Sequence, residues 1–485
     1  MISCDTRCAD AWASAWRRLS KRNVAYGLMT AGFDPLGTFI AFVLHLYDGL
    51  PFWAIPIFLI ALVLIVGSIL STLVLSVQSV RQRRVDQRKP RHSDATLDES
   101  DFLWVFVVPA LNEEVTIADS VGRLTEVEVT HKIILVINDG SEDDTAAVLD
   151  GLQVPELTVL ERRAPEARQG KSEALNDAWR YLHREVLNSN RYRDWPTDRV
   201  IFAVVDADGR LDRGAGQVSR EFSDPKVGGV QSLVRIYNRT SPLTWAQDVE
   251  FGVFGVVLQR GRMRWGTANM GGNGQFNRLA ALDEVALEDA QGRRGPWKAG
   301  RLTEDQDIGL RLMFAGWRGA QTNRVEINQQ GLNSWRSLAR QRTRWAQGGW
   351  QVLDLVGPVL RNRHLGLVGR VDQFWYLLTP IIQAWVGLSV VLSAVFLVTG
   401  IAEPEWTVTI VVLLYVFSAA PGISSVLLAR RSPGILGLLR DLLLAHLYLI
   451  YSWMIFPVVY RAFARELFGQ KSWAKTQRES IAQSG

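Results

Sequence analysis

The sequence predicts a mostly parallel α/β domain, with helices on both faces of its sheet, inserted between N-terminal and C-terminal transmembrane helices. Two observations carry that expectation. Both ends of the 485-residue chain hold long apolar runs without a charge, and the middle alternates short β-branched runs with polar helical stretches. A helix of about 20 apolar residues spans a bilayer core, and strand–helix alternation builds a parallel sheet covered on both sides. The expected divisions are an N-terminal membrane region of about two helices (1–80), a soluble domain on the cytoplasmic side (81–332), amphipathic interface helices (333–370), C-terminal transmembrane helices (371–466) and a cytoplasmic tail (467–485).

Residues 49–80 carry no charged side chain, so "FWAIPIFLIALVLIVGSILSTLVLSV" within them reads as a span. A weaker span over 25–47 precedes it, with Asp34 and His45 inside. A charge at such a place is costly and faces other protein. The basic flanks "RRLSKR" and "RQRRVDQRKPRH" both belong on the cytoplasmic side, which requires two crossings. The apolar run is too long and too deep in the chain for a cleaved signal peptide. At the other end, 373–402 and 406–429 are free of charge, and 441–460 is a third apolar stretch, entered by Arg440 and Asp441. Three crossings would leave the basic "RAFARELFGQKSWAKTQR" outside, against the same rule, so the last segment is expected to be kinked, re-entrant or interfacial. The chain is expected to be multi-pass in a cell (inner or plasma) membrane. Cys4 and Cys8, spaced by four with no histidines nearby, point to neither a zinc site nor a disulfide framework. The 54 basic residues are matched by 49 acids and concentrate beside the membrane segments, which argues against a nucleic-acid partner.

In the middle, "LWVFVVPA" (103–110), "HKIILVIND" (131–139) and "VIFAVVDAD" (200–208) read as strands buried on both faces. "EEVTIADSVGRL" and "SEALNDAWRYLHREV" read as helices between them. In such sheets ligands bind beyond the carboxyl ends of the strands. There the sequence places Pro109, Ala110 and Glu113 after the first run, Asp139-Gly140 after the second, and Asp206 and Asp208 after the third. Taken singly, Asp139-Gly140 is a plain turn and Asp206-x-Asp208 a turn or cap. Three polar strand ends on one rim mark a site. Two carboxylates leaving a strand at i and i+2 can approach one hard cation, Mg²⁺ or Mn²⁺, and that suits a diphosphate. Thr303-Glu304-Asp305 opens a helical stretch, where Thr303 also fits a plain N-cap with acids in the first turn.

"SWRSLARQRTRWAQGGW" (334–350) stacks Arg336, Arg340, Arg342 and Arg344 beside three tryptophans, with no acid between Glu326 and Asp354. As a helix it puts Arg336, Arg340 and Arg344 on one face, a repulsive spacing. A bound diphosphate would be their partner, since the planar guanidinium fork matches it. The other reading is a basic aromatic helix on anionic lipid. Both are expected to hold, with Arg344 and Trp345 at the site and Trp335, Arg336 and Arg340 toward the interface.

"VVPALNEE", "INDGSEDDT", "GKSEALN", "VVDADG", "TEDQDIGLRL" and "QRTRW" follow one another in that order, from about residue 107 to 345. In this the chain resembles the processive, membrane-integrated glycosyltransferases of family 2, the group of cellulose, chitin, hyaluronan and poly-N-acetylglucosamine synthases. The resemblance implies a GT-A-like domain that takes a UDP-sugar donor and extends a growing polysaccharide. Pro109, Ala110 and Glu113 would line the nucleotide pocket, and Asp139 would reach the uracil. Lys171 would approach the diphosphate, Asp206 would contact the nucleotide, and Asp208 would hold Mg²⁺ or Mn²⁺. Asp305 would be the catalytic base, with Glu304 on the substrate side, and Gln341, Arg344 and Trp345 would form the motif QxxRW. The implied reaction is an inverting, processive transfer giving a β-linked polymer, with export across the membrane lipid. The alternative is a single transfer to a lipid-linked acceptor. "MGGNGQFNR" (270–278) departs from the acceptor-side sequence of a cellulose or hyaluronan synthase and leaves the sugar open. Linkage and accessory subunits are open as well.

Overall fold

The computed structural model describes residues 50–88, 97–401, 408–431 and 433–470. The weaker span expected over 25–47, both cysteines and most of the basic tail lie outside these residues. Two units divide the chain, 1–59 with 390–406 and 60–389 with 407–485. In the first, Trp53 and Phe58 pack on Phe396, with ring centroids 5.8 and 6.2 Å apart.

The second unit is built on an eight-stranded sheet. The strands, with the helices between them that bear on the site, are β1 (Leu103–Ala110), α1 (Ile117–Thr125), β2 (Lys132–Asn138), β3 (Leu157–Glu161), α2 (Lys171–Tyr181), β4 (Val200–Val204), β5 (Arg210–Leu211), β6 (Val227–Ile236), α3 (Pro242–Gly252), β7 (Gln275–Arg278), α4 (Glu304–Phe314) and β8 (Arg318–Gln329). The spatial order is β3-β2-β1-β4-β7-β6-β8-β5. The pairs β1–β2, β1–β4, β2–β3 and β6–β8 are parallel, while β7 and β5 run antiparallel to their neighbours. A period of two sends Trp104, Phe106 and Val108 of β1 into one core and Leu103, Val105 and Val107 into the other. Both cores are fully covered, which is why the strand reads as an unbroken apolar run rather than an alternating one.

The register aligns the carboxyl ends. Ala110 pairs with Asn138, and Val107 with Val204, so the residues after β1, β2 and β4 emerge along one rim. Helix α1 begins four residues later than the pattern "EEVTIADSVGRL" suggests. Asn112 holds a left-handed φ of 53°, and the turn it opens is stitched to the turn after β2. Asn112 N donates to Ser141 Oγ at 2.9 Å, Glu113 N to Thr145 Oγ1 at 2.7 Å, and Glu142 N to Asn112 Oδ1 at 2.8 Å.

After the sheet come α5 (Trp335–Gln351), α6 (Leu367–Leu377), α7 (Thr379–Val398), α8 (Val408–Ala429), α9 (Gly434–Ser452) and α10 (Ile455–Leu467). The helix Ile55–Arg88 precedes it, with Val63, Leu70, Val74 and Val77 exposed. Ile55–Gln87, Thr379–Val398 and the stretch Gly434–Leu467 are long and apolar enough to cross a membrane. The last apolar stretch is not one continuous helix. It breaks at Trp453–Met454, between α9 and α10. Pro457 stands in the first turn of α10, where its missing N–H costs nothing. In an unbroken helix its ring would clash with the carbonyl of residue 453. Helix α10 then lies along α5: Gln347 and Gln351 both donate to Glu466 Oε2, at 3.0 and 3.2 Å, and Trp350 meets Phe463 with centroids 4.9 Å apart.

Candidate active site

A cavity of about 860 Å³ lies beyond the carboxyl ends of β1, β2 and β4. Its wall contains every site residue expected from the sequence: Pro109, Ala110, Glu113, Asp139, Lys171, Asp206, Asp208, Glu304, Asp305, Gln341, Arg344 and Trp345. These come from six separate stretches of chain, gathered by the rim, the start of α4 and one face of α5.

Asp139 is held by two groups. Arg162 forms an ion pair with its Oδ1, and Arg168 N donates to the same oxygen at 2.9 Å. Burial pushes the Asp139 carboxyl above its ordinary value, against the pull of these donors. The turn that follows needs glycine. Gly140 has φ +72°, and a Cβ there would stand 2.9 Å from Ala167 Cβ.

Lys171 sits at the first position of α2. Its Nζ lies 2.6 Å from Asp206 Oδ1 and 3.5 Å from Glu304 Oε1. Burial pulls the ammonium's pKa down, but Asp206, Glu304 and Asp305 outweigh it and the net direction is up. Lys171 therefore stays charged. Asp206 N donates to Asn273 Oδ1 at 3.0 Å, and Asn273 Nδ2 donates to Gln329 Oε1 at 2.9 Å. Asp208, only 6% exposed, accepts from Gln330 N at 3.1 Å. Among the described residues no group of three or more His, Cys, Asp or Glu could hold a metal by itself. Two oxygen donors from this loop, with no His or Cys beside them, fit a hard cation whose remaining ligands come from phosphate and water.

Asp305 stands in the first turn of α4, half-buried, and its Oδ1 accepts from Gln306 N at 2.8 Å. Burial, then the neighbouring Glu304, push its carboxyl up to about 7, with Lys171 pulling the other way. Thr303 occupies the N-cap position, yet its side chain makes no cap hydrogen bond.

Helix α5 spans the stretch read as helical, and its arginines divide. Arg336 and Arg340 are exposed, as is Trp335, while Arg344 and Trp345 line the cavity. The expectation that the arginines have no carboxylate partner fails for Arg342. Its Nη2 reaches Glu250 Oε2 of α3 at 2.7 Å, and its guanidinium lies 4.2 Å from the Trp345 ring centroid. The partner is far away in sequence, which is why the local absence of acids misled.

Several wall residues carried no signal of this role in the sequence. Glu250, Gln329 and Tyr376 belong to no motif. Gly272 and Asn273 lie in "MGGNGQFNR", which stood out only as a departure. Gly272 has φ +79°, and a Cβ on it would be 3.1 Å from Asp305 Oδ2, so this loop passes directly against the carboxylate.

A family model described as glycosyltransferase-like family 2 matches residues 104–348. Over 279 residues the chain is 30% identical to the β-monoglucosyldiacylglycerol synthase of Synechocystis sp., a match covering 56% of this chain and 53% of that protein. Over 264 residues it is 26% identical to a poly-β-1,6-N-acetyl-D-glucosamine synthase of Staphylococcus aureus, covering 54% of this chain and 57% of that one. The chain thus spans little more than half the length of these curated relatives. Among solved structures, a mannosyltransferase of Pyrobaculum calidifontis in complex with GDP-mannose and Mn²⁺ shares the fold, with a TM-score of 0.53 at 16% identity, over 85% of this chain and 99% of that one.

Proposed function

Because the chain belongs to the glycosyltransferase-like family 2, we propose that it moves one sugar from a UDP-sugar, with inversion, to a hydroxyl carried by a membrane lipid. The transfer from a nucleotide sugar follows from the family. The nucleotide, the stereochemistry and the acceptor are the proposal. The observation that carries it is the cavity wall, where Asp305 and Glu304 stand by Lys171 and Arg344 belongs to the same lining.

In the proposed reaction Asp305 accepts the proton of the acceptor hydroxyl. The acceptor oxygen attacks the anomeric carbon from the face opposite the diphosphate. The bond from that carbon to the diphosphate oxygen breaks, and the electron pair leaves with UDP. Lys171 and Arg344 meet the charge that grows on the leaving group. Asp208, with Asp206 near it, would hold the divalent cation, which when bound supplies further positive charge to the diphosphate. With Asp305 as the proposed base, the proposed path is a single displacement. An α-linked donor then yields a β-linked product.

A lipid acceptor is supported by the likeness to the β-monoglucosyldiacylglycerol synthases. It is supported too by the makeup of the wall. Phe251, Phe254, Met270, Trp345 and Tyr376 give the cavity an apolar side, and Tyr376 stands three residues before α7, a helix able to cross a membrane. A second reading, a processive polymer synthase with export, is favoured by QxxRW in the wall and by the poly-N-acetylglucosamine synthase among the relatives. One experiment tests both: purified enzyme in lipid vesicles, a panel of nucleotide sugars, and product analysis by mass spectrometry and NMR. A β-linked glycolipid bearing one sugar is expected. Long polymer would establish the second reading, and an α-linked product would overturn the single displacement.

A further inference from the structure

A second cavity, of about 520 Å³, opens beside β5 and β8 and takes no part in the chemistry above. Five arginines line it, Arg123, Arg210, Arg213, Arg239 and Arg431, against three carboxylates, Glu126, Asp212 and Glu326. Each guanidinium carries five N–H donors in a planar fork. Two of the five are only loosely paired. Arg239 stands 3.6 Å from Asp248, and Arg123 stands 3.6 Å from Asp119, both beyond hydrogen-bond length. Arg210 is laid flat, its guanidinium 3.8 Å from the Tyr237 ring centroid, and its Nε donates to Asp119 Oδ2 at 2.8 Å, while Arg213 is paired with Glu126 at 3.0 Å. Arg431 comes from the short link between α8 and α9 and is fixed to β8 by Glu326 at 2.7 Å. If those helices cross the membrane, this link lies at the membrane surface and the cavity opens beside it.

The two cavities share their walls. Asp206, Ala207 and Asp208 line the first, and Arg210 to Arg213 line the second, along one continuous segment. On β8, Asn328 lines the second cavity and Gln329 the first. The segments are tied together, Arg210 pairing with Asn328 in the sheet and Gln330 N donating to Asp208 at 3.1 Å.

We propose that this second cavity is a binding site for a phosphate-bearing anion at the membrane surface, and that its occupancy activates the enzyme by fixing the segment that carries Asp206 and Asp208. The ligand chemistry is a phosphate mono- or diester, in a lipid headgroup or in a soluble molecule.

The test uses the full chain reconstituted in phosphatidylcholine vesicles that hold diacylglycerol as a saturating hydroxyl acceptor. Phosphatidylglycerol in the vesicles is one probe and soluble glycerol phosphate the other. Turnover is read at saturating donor, so that competition at the diphosphate site drops out. Either probe is expected to raise turnover about fivefold or more, the size of an ordinary coupling. A response to phosphatidylglycerol alone identifies a lipid headgroup, and a response to both identifies the phosphate group whatever its source. The double variant Arg123→Gln/Arg239→Gln, which breaks no hydrogen-bonded pair, should keep the rate in neutral vesicles and lose the response. A wild type that answers neither probe, or a double variant that answers as the wild type does, overturns the proposal. Hydrogen exchange provides a readout that needs no turnover: the probe should protect 206–213 and 326–330 in the wild type alone. Protection without turnover on any donor would sink the transferase reading and leave the site standing, whereas turnover without protection or response would do the reverse.

Discussion

A general base works only after it has lost its proton, and burial and Glu304 push the carboxyl of the proposed base, Asp305, up to about 7. The rate at limiting substrate should therefore rise with pH through about 7. Glu304→Gln removes the like charge that helps raise Asp305, so the acidic limb should move to lower pH. A limb that stays in place would remove Glu304 from the account. Asp305→Asn should keep nucleotide binding and lose about 10²–10⁴-fold in turnover. The same shift bears on stability. The folded-state pKa lies above the ordinary carboxylate value, so the contribution of Asp305 is whole below that value and is lost as pH rises through about 7. Melting at pH 6 and at pH 8 should differ less in Asp305→Asn than in the wild type. Glu250 gives a second prediction. It accepts from Arg342 and from the Tyr451 hydroxyl, both at 2.7 Å, and Arg342 in turn stacks on Trp345. Glu250→Gln should weaken the fold by about 1–3 kcal/mol and raise the acceptor KM more than the donor KM. An equal rise in both would show that Glu250 does not steer Trp345. The sequence spelled out Asp305 because its helix start and its motif are local. It gave no hint of Glu250, whose partners stand 92 and 201 positions away.

The close meeting of α4 and α5 depends on one missing methyl group. A Cβ on Gly348 would stand 2.5 Å from Thr303 Cγ2, at the head of the helix that carries Asp305. Gly348→Ala should push the two helices apart, costing about 1–3 kcal/mol and at least tenfold in turnover, about 1.4 kcal/mol in the barrier. Gly349→Ala is the control. Its Cβ would meet only Pro380 Cγ at 3.8 Å, and helix propensity favours alanine by about 1 kcal/mol. Equal losses in the two variants would refute the spacing argument. Elements were legible wherever one period ruled. β1 runs over the stretch 103–110 read from its apolar run, and α5 over nearly all of 334–350. Local turn chemistry overrode the pattern before α1, where Asn112 delays the helix. In the last apolar stretch hydropathy alone could not register the break ahead of Pro457. The pairing of α10 with α5 left no trace in either sequence segment, because the contacts between them are side-chain amides and rings with no periodic signature.

At the scale of the whole molecule, charge asymmetry and apolar length predict the catalytic domain on the cytoplasmic side. A Cys-free background with a single cysteine at Gln291 should resist an impermeant thiol reagent in intact cells and react once the membrane is opened. Labelling in intact cells would invert the topology. The family and the parallel sheet were visible early because the motifs sit at strand ends, where the register of β1, β2 and β4 must bring them together. The second cavity was not, since its arginines come from four separate places along the chain. The strap formed by α10 has a consequence for how the protein is made. Residues 103 to 351 leave the ribosome with every expected site residue in hand, but Gln347 bonds to Glu466, a residue 119 positions further on. The helix that carries Trp345 is thus clasped only after the intervening apolar helices have been made. A nascent chain not yet made as far as Glu466 therefore holds an incompletely braced candidate site.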